Sequence, residues 1–107
     1  MERFFEQIIE NSLNEIYIFD TNSYRFVYIN KAALSNLGYS MKDILNMTPI
    51  DIKPELDLQK FEAIIKPLKE NQKEKVVFHT KHLRKNGTTY QVMVSLQKMK
   101  IEKQEIS

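Results

Sequence analysis

The sequence predicts an α+β fold in which an antiparallel sheet holds helices against one face. Two observations lead to this class. Segments of strand-like composition lie near the two ends of the chain, and most segments of helical periodicity lie between them. Within each pair of strand-like segments, a short polar turn joins the two, which is typical of antiparallel hairpins. With 107 residues, 42% of them hydrophobic, the chain can bury the core of one small domain.

The strands are predicted as two hairpins. Residues 15–20 and 25–29 are rich in strand-forming side chains and flank a polar turn. Residues 75–84 and 89–98 are the two longest strand-like segments. The Asn-Gly pair at residues 86–87 between them predicts a type I′ turn, in which both residues take a positive φ.

The helices between the hairpins are predicted from their caps. Asn30 is placed to cap a first helix, and Ser40 with Asp43 three residues later resembles a capping box for a second. Asp57 is placed to cap a third, longer helix. Pro67 lies within the periodic pattern of that helix, so we expect a kink or an early end there.

The first twelve residues predict a short amphipathic helix, distinct from a core over residues 13–99. Its apolar side chains fall on one side of a helical wheel, and charged and amide side chains take the other. A helix of about ten residues is marginal alone and needs a surface to lie on. We therefore expect residues 1–12 to cover the sheet or to mediate dimerisation. The candidate dimer contacts are Phe4, Phe5, Ile8 and Ile9 of this helix and Met93 on the outer sheet face.

Composition removes several classes of function. There are 16 basic and 14 acidic residues, mixed in sign along the chain, so no basic face for nucleic acid is expected. The absence of Cys excludes disulfides, thiolate nucleophiles and Cys-ligated metals. No apolar run approaches the ~20 residues of a membrane span, and the first residues lack the pattern of a signal peptide. We expect a soluble, cytoplasmic fragment without direct membrane contact, whose parent protein could still be membrane-anchored.

The sequence contains no recognisable catalytic constellation. Gly38 and Gly87 are the only glycines, so there is no Gly-rich phosphate loop. His79 and His82 lie three apart on a predicted strand and should point to opposite faces, so they cannot share a metal. We interpret both as structural histidines. We therefore predict no catalytic residue, no metal site and no enzymatic activity for this fragment.

Five segments, in order, resemble the PAS family of sensory domains. Residues 14–20 resemble the first PAS strand, and residues 26–33 resemble the second strand entering a helix. Residues 37–40 read Leu-Gly-Tyr-Ser, residues 48–54 resemble the loop before the long helix, and residues 84–90 resemble the last hairpin turn. The resemblance implies a PAS-like sheet of five antiparallel strands with short helices on one face.

The resemblance also implies a role. PAS domains act as sensory input domains of bacterial histidine kinases, diguanylate cyclases and related signalling proteins. Such a domain binds a small molecule or a partner PAS domain and biases an output module. The expected partners are a second copy of the chain and the output domain of the parent protein. The alternative is a ligand-free dimerisation and protein-interaction module.

The cofactors of the PAS family can be compared with the residues present. Flavin and coumarate sensors that form a Cys adduct are excluded, because the chain has no Cys. Haem-binding members ligate iron through a His on the long helix, and residues 57–71 contain none. His79 or His82 would reach a haem only by an unusual route. Flavin redox sensors often use Trp, which is also absent. No cofactor is evident, and an unknown small molecule remains open.

A candidate pocket follows from the apolar faces. Alternation along the last strand points one row of side chains inward, and polar atoms among them could orient a ligand in an otherwise apolar cavity. The alternative is a packed core whose hydroxyl groups are satisfied by the backbone, with Asn30 acting as a helix cap. The candidate ligand-binding residues are Tyr28, Asn30, Leu37, Ile64, Phe78, Thr80, Tyr90, Val92 and Val94.

The end of the chain gives a further expectation. In the PAS family the last strand lies in the middle of the sheet, between the first strand and the last long one. Residues 100–107 hold two isoleucines among charged and polar residues, which is a poor central strand. We expect a truncated start of that strand or a charged tail. The flanking strands would then either accept a partner segment or close the gap directly.

Overall fold

The computed structural model describes residues 2–99, and expectations for residues 100–107 lie outside this range. The elements follow the predicted order, except that a 3₁₀ helix lies within the predicted loop of residues 48–54, and the predicted α+β class is confirmed. They are α1 (Glu2–Asn11), β1 (Tyr17–Phe19), β2 (Phe26–Ile29), α2 (Lys31–Leu37), α3 (Met41–Ile44), a 3₁₀ helix (Pro49–Ile52), α4 (Leu58–Lys69), β3 (Lys75–Leu83) and β4 (Thr89–Gln97).

The strands form two antiparallel ladders. β1 pairs with β2, and β3 pairs with β4 along its whole length. Within residues 2–99 no ladder joins β1 to β4, so the two flanking strands do not close the gap directly. Each therefore keeps one edge without a strand partner in the described part of the chain, and such edges accept another segment.

The short helices begin and end where the caps predict. The Asn30 side chain accepts the Ala33 N–H at 3.2 Å, and Gly38 closes α2 with a φ of 82°. Ser40 and Asp43 complete a capping box, with reciprocal distances of 3.1 and 3.3 Å. Asp57 accepts the Lys60 N–H at 2.8 Å at the start of α4. These caps satisfy backbone donors that a short helix leaves open.

The long helix α4 passes through Pro67 and ends two residues later, at Lys69. Asn71 follows in the left-handed region with a φ of 58°. The Pro67 carbonyl accepts the Gln72 N–H at 2.8 Å. This C-terminal arrangement ends the helix. The expected early end at Pro67 is wrong, because α4 continues through the proline and covers the whole periodic pattern up to Leu68.

The turn between β3 and β4 differs from the predicted type I′ turn. Gly87 has a φ of 89°, but Asn86 is not among the positive-φ residues. The Gly87 N–H donates to the Arg84 carbonyl at 3.0 Å, and the Arg84 N–H donates to the Thr88 carbonyl at 2.8 Å. The loop is therefore three residues long, with a simple turn followed by a left-handed glycine. Asn86 instead accepts the Thr88 N–H through its side chain at 3.0 Å.

Replacing Gly87 with valine should lower the free energy of unfolding by about 1–2 kcal/mol, because a β-branched residue is strained at this φ. A Cβ at this position would meet no atom within 4 Å, so the loss would come from the backbone alone. Chemical denaturation measures it. Gly87→Asn is the control and should lose much less, since Asn tolerates the left-handed region. Equal losses for the two variants would contradict this account.

Two apolar clusters make up the core. The first joins α2 and α3 to the first hairpin and has Ile29, Leu37 and Ile52 among its fully buried members. The second lies around α4 and contains Phe61 and Ile65. Phe19 packs against both clusters. The inner face of the β3–β4 ladder contributes Tyr90 to the first cluster and Leu96 to the second.

Candidate ligand-binding site

The inner face of the β3–β4 ladder carries the candidate site. Side chains alternate between exposed and covered along both strands, as period-two geometry requires. Thr80 lies opposite Val92, and His82 lies opposite Tyr90. Along the middle of this face the covered residues are Phe78, Thr80 and His82 on β3 and Tyr90, Val92 and Val94 on β4. Tyr90 packs against the first apolar cluster and Leu96 against the second, so the middle of this face lies between the two clusters.

Two buried polar side chains, Thr80 and His82, lie on this face, and the charge of a third buried polar residue, Lys53, acts on His82. Lys53 is 5% exposed, Thr80 8% and His82 3%. The Thr80 hydroxyl and both ring nitrogens of His82 have no hydrogen-bond partner in the described part of the chain. Leaving one buried donor or acceptor unsatisfied costs roughly 1–3 kcal/mol, so native proteins rarely place such groups together without a reason. We call these three residues the inner polar cluster.

The His82 ring is held between two tyrosines. Its centroid lies 5.5 Å from that of Tyr17 and 5.7 Å from that of Tyr90, both with edge-to-face geometry. Burial, and then the positive charge of Lys53, lowers the pKa of His82 to about 3. The ring is therefore neutral at pH 7, with one nitrogen able to donate a hydrogen bond and the other able to accept one.

Lys53 follows the 3₁₀ helix, and its side chain is largely buried. Burial lowers its pKa to about 8, so it remains mostly protonated at pH 7. No carboxylate of residues 2–99 forms an ion pair with it. Its positive charge contributes to the low pKa of His82. The cluster is therefore a positively charged, incompletely satisfied environment.

Glu15 organises the neighbouring hydroxyl groups. Its Oε1 accepts the Tyr17 hydroxyl at 2.5 Å and the Tyr90 hydroxyl at 2.9 Å, and its Oε2 accepts the Asn36 amide at 3.0 Å. Arg84 covers the Tyr90 ring at 4.4 Å. Burial and the hydrogen bond to Glu15 raise the pKa of both phenols. These bonds fix the two rings that hold His82 and link β1 to β4 through side chains.

Comparison with known proteins decides the family. A family profile described as PAS domain matches residues 14–107. The chain belongs to the PAS family. PAS domains are sensory, non-catalytic signalling modules, and this chain is one of them. No curated protein matches it.

Solved PAS structures share its fold. A PAS domain from a two-component sensor histidine kinase is 24% identical, with a TM-score of 0.78 over 94% of this chain and 85% of that one. The PAS domain of an HTR-like protein from Haloarcula marismortui is 20% identical, with a TM-score of 0.80 over 94% and 81%. A domain of a sensory box sensor histidine kinase/response regulator from Geobacter sulfurreducens is 18% identical, with a TM-score of 0.76 over 88% and 80%.

Asn30 has a structural role in this PAS domain. It is fully buried, and its Oδ1 accepts the N–H groups of Ile16 at 3.0 Å and Ala33 at 3.2 Å. Its Nδ2 donates to the carbonyls of Ile9 at 2.9 Å and Asn14 at 2.8 Å. Backbone groups thus satisfy the whole hydrogen-bonding capacity of the Asn30 side chain. Asn30, predicted as a pocket residue, instead caps α2, as the cap interpretation suggested, and also joins α1 and the segment before β1.

The other predicted pocket residues divide into two groups. Phe78, Thr80, Tyr90, Val92 and Val94 share the inner face. Outside it, the Tyr28 hydroxyl donates to Glu10 of α1 and is therefore committed to that helix. Leu37 lies within the first apolar cluster, whereas Ile64 packs against the second. Leu37 and Ile64 therefore do not form one opposite wall.

Sequence reasoning missed Lys53 and His82 as members of the site. The alternation that placed Phe78 and Thr80 inward also places His82 inward, so the pattern for it was present. His82 does face away from the exposed His79, as predicted. It is not a satisfied structural histidine, however, since no described residue bonds its nitrogens. For Lys53 no pattern signals burial, because a lysine between Ile52 and Pro54 reads as an exposed loop residue.

Two open grooves lie on the surface. One, of about 480 Å³, lies between the end of α2 and the β3–β4 turn, and the other, of about 410 Å³, lies along α4. Of the predicted pocket residues, Leu37 lines the first and none lines the second. Neither groove is lined by a residue of the inner face.

The candidate dimer contacts are mostly exposed. Phe4, Phe5 and Ile8 each show more than half of their surface, and Met93 shows about two-thirds. Ile9 is half-buried beside Asn30. Within residues 2–99, no helix has the length and apolar character needed to cross a membrane. No group of three His, Asp or Glu side chains in the described chain is arranged to hold a metal.

Proposed function

We propose that this PAS domain is a signalling input domain that binds a small molecule against the inner face of β3 and β4. The observation that carries the proposal is the inner polar cluster, in which the Thr80 hydroxyl and both His82 ring nitrogens lack partners in the described chain. The adjoining Val92 and Val94 supply apolar surface. A few convergent polar groups beside apolar walls are typical of small-molecule sites.

The position of the cluster connects binding with signalling. His82 contacts Tyr17 of β1 and Tyr90 of β4, and both tyrosines donate to Glu15. A ligand that bonds His82 would alter how these two strands sit relative to each other. We propose that this shift in population is the signal, because β1 and β4 flank the PAS strand that commonly leads to the output domain.

We propose a bacterial regulatory protein as the parent. Two of the structural relatives are named as parts of sensor histidine kinases, which supports a histidine kinase of a two-component system. A diguanylate cyclase output with a GGDEF domain rests on the sequence resemblance alone. In both cases the domain would work in the cytoplasm, as part of a protein that could be membrane-anchored.

A pair of variants tests the ligand site. Val92→Phe fills the inner face, whereas Met93→Phe adds similar bulk to the outer face one residue away. In a thermal-shift screen of small metabolites, we expect compounds that raise the melting temperature of wild type and Met93→Phe but not of Val92→Phe. Ligands that stabilise Val92→Phe as well as wild type would place binding elsewhere and contradict the proposal.

A ligand-free homodimerisation module is the second candidate. The exposed apolar side chains Phe4, Phe5 and Ile8 favour it, since contiguous apolar surface marks interaction sites. They extend along one face of α1, and the outer sheet face adds Met93. If this second candidate is correct, dimerisation is the function of the domain, and the inner face is only part of the packed core.

Charging this surface should convert a dimer to a monomer. Phe5→Glu with Ile8→Glu removes two apolar contacts per protomer, each worth roughly 1.5–3 kcal/mol when buried. Both side chains are exposed in the single chain, so the fold should survive. Sedimentation velocity across micromolar dilution reports the change. Leu13→Glu is the control, because Leu13 is an exposed apolar residue outside α1. An unchanged sedimentation coefficient in the double variant would contradict the α1 interface.

A further inference from the structure

The His82 imidazole lies between two tyrosines that bind the same carboxylate. The rings of Tyr17 and Tyr90 each contact His82 edge to face, with centroids 5.5 and 5.7 Å away. Their hydroxyl groups donate to one oxygen, Oε1 of Glu15, at 2.5 and 2.9 Å. We call Glu15, Tyr17 and Tyr90 the tyrosine clamp. Its members are half-buried whereas His82 is 3% exposed, so the clamp covers the imidazole on the side of the tyrosines.

The clamp connects elements that no strand ladder connects. Glu15 precedes β1 and Tyr90 lies in β4, and within residues 2–99 no ladder joins these two strands. Glu15 also accepts the Asn36 amide of α2 through Oε2 at 3.0 Å. All of these contacts are hydrogen bonds between side chains. The clamp can therefore open without breaking a backbone hydrogen bond of either ladder.

The groups beneath the clamp favour its opening. Both His82 ring nitrogens and the hydroxyl of Thr80, two residues earlier on the same face, are buried without a hydrogen-bond partner in the described chain. Water that reached these atoms would supply the missing bonds. The released tyrosine hydroxyls and the Glu15 carboxylate would bond water in place of each other. Opening of the clamp is therefore much less costly than unfolding of the domain.

The backbone around the clamp is held in place. β3 and β4 pair along their whole length. Asn30 bonds the Asn14 carbonyl at 2.8 Å and the Ile16 N–H at 3.0 Å, on either side of Glu15. Opening is therefore a movement of the clamp side chains, which is faster than a rearrangement of helices or strands.

We propose that the tyrosine clamp is a gate, which opens when Tyr17 and Tyr90 leave Glu15 and which gives a small molecule access to His82 and Thr80. This inference rests on the proposed function and names the group that controls entry to the same site. In the closed state the clamp excludes solvent from the imidazole. In the open state a ligand can take the hydrogen bonds that His82 and Thr80 lack.

The reaction of the two histidines with diethyl pyrocarbonate tests the gate without any ligand. The reagent acylates a neutral imidazole nitrogen that it can reach, and the chain contains only His82 and His79, which is exposed on the outer face. Peptide mass spectrometry of the whole chain gives both rates in one sample. In wild type, we expect His82 to react about tenfold or more slowly than His79, at a rate that low urea does not change, because opening of the clamp exposes little surface.

Removing the carboxylate should open the gate. Glu15→Ala releases both tyrosines and should raise the ratio of the His82 rate to the His79 rate by about tenfold or more. Glu62→Ala, at an exposed glutamate of α4, is the control and should leave the ratio unchanged. Tyr90→Phe keeps the ring and loses one bond to Glu15, so it should raise the ratio by about threefold. This variant decides the question if Glu15→Ala does not fold.

A second control separates opening of the clamp from global unfolding. Gly87→Val weakens the distant turn and leaves the clamp intact, so it should not change the ratio. The gate would be overturned if the His82 rate did not rise in Glu15→Ala and Tyr90→Phe, or if it rose equally in Gly87→Val. Acceleration of the wild-type rate by low urea would also overturn it. The Val92→Phe comparison decides the proposed function separately.

Discussion

Replacing Asn30 with alanine is expected to lower the free energy of unfolding by about 3–5 kcal/mol. The side chain is fully buried, and its amide satisfies backbone groups of Ile9, Asn14, Ile16 and Ala33. Alanine leaves these groups without partners in a space that water does not readily fill. The loss should also loosen α1, because the Ile9 carbonyl is one of the acceptors.

Urea denaturation followed by circular dichroism measures this loss. Asn46→Ala is the matched control: Asn46 is exposed, and within residues 2–99 its side chain bonds only the Lys42 carbonyl, at 3.2 Å. That variant should stay within about 0.5 kcal/mol of wild type. Asn30→Asp should not rescue the fold, since a carboxylate oxygen would face the Ile9 and Asn14 carbonyls. A loss below about 1 kcal/mol for Asn30→Ala would contradict its structural role.

His82 should make the fold sensitive to mild acid. Its pKa is about 3 in the folded protein and near 6.5 in the unfolded chain, so the unfolded state binds a proton first as the pH falls. The stability that neutral His82 contributes is complete above pH 6.5 and is lost as the pH falls towards 3. Between pH 7 and pH 5 the loss should be about 2 kcal/mol.

A non-titrating ring isolates this contribution. His82→Phe keeps the edge-to-face contacts with Tyr17 and Tyr90 and removes the proton site. Lys53 stays charged, and the two phenols stay protonated, throughout this pH range, and the carboxylates titrate in both proteins. The change in unfolding free energy between pH 7 and pH 5 should be about 2 kcal/mol smaller in His82→Phe than in wild type. The same pH dependence in both proteins would show that His82 is protonated without penalty.

The sequence predicted the elements whose causes are local. Asn30, Ser40 and Asp57 cap helices because a cap requires only a side chain within three residues of a free N–H. The alternation of Tyr90, Val92 and Val94 predicted the inner face for the same reason, since the strand period is built into the backbone. The turn at Gly87 was only partly predicted: glycine supplied the positive φ, but loop length decided the turn type.

Features that depend on distant contacts could not be predicted in this way. Asn30 bonds Ile9 and Asn14 only because α1 folds back over α2, and no local pattern encodes that approach. Tyr24 is not a glycine, yet it adopts a φ of 63°. It lies in a turn where the Asp20 carboxylate accepts two backbone N–H groups. Lys53 is buried because the chain around it packs against both apolar clusters. The sequence alone predicts an exposed loop residue at this position.

Native mass spectrometry of freshly purified protein tests the central claim, a ligand on the inner face, most directly. Wild type and Met93→Phe should each carry a bound small molecule in addition to the polypeptide, and the spectrum reports the oligomeric state as well. Val92→Phe should show the mass of the polypeptide alone. The bare polypeptide in all three proteins, or the same bound mass on Val92→Phe, would contradict a ligand site between the helices and the β3–β4 ladder.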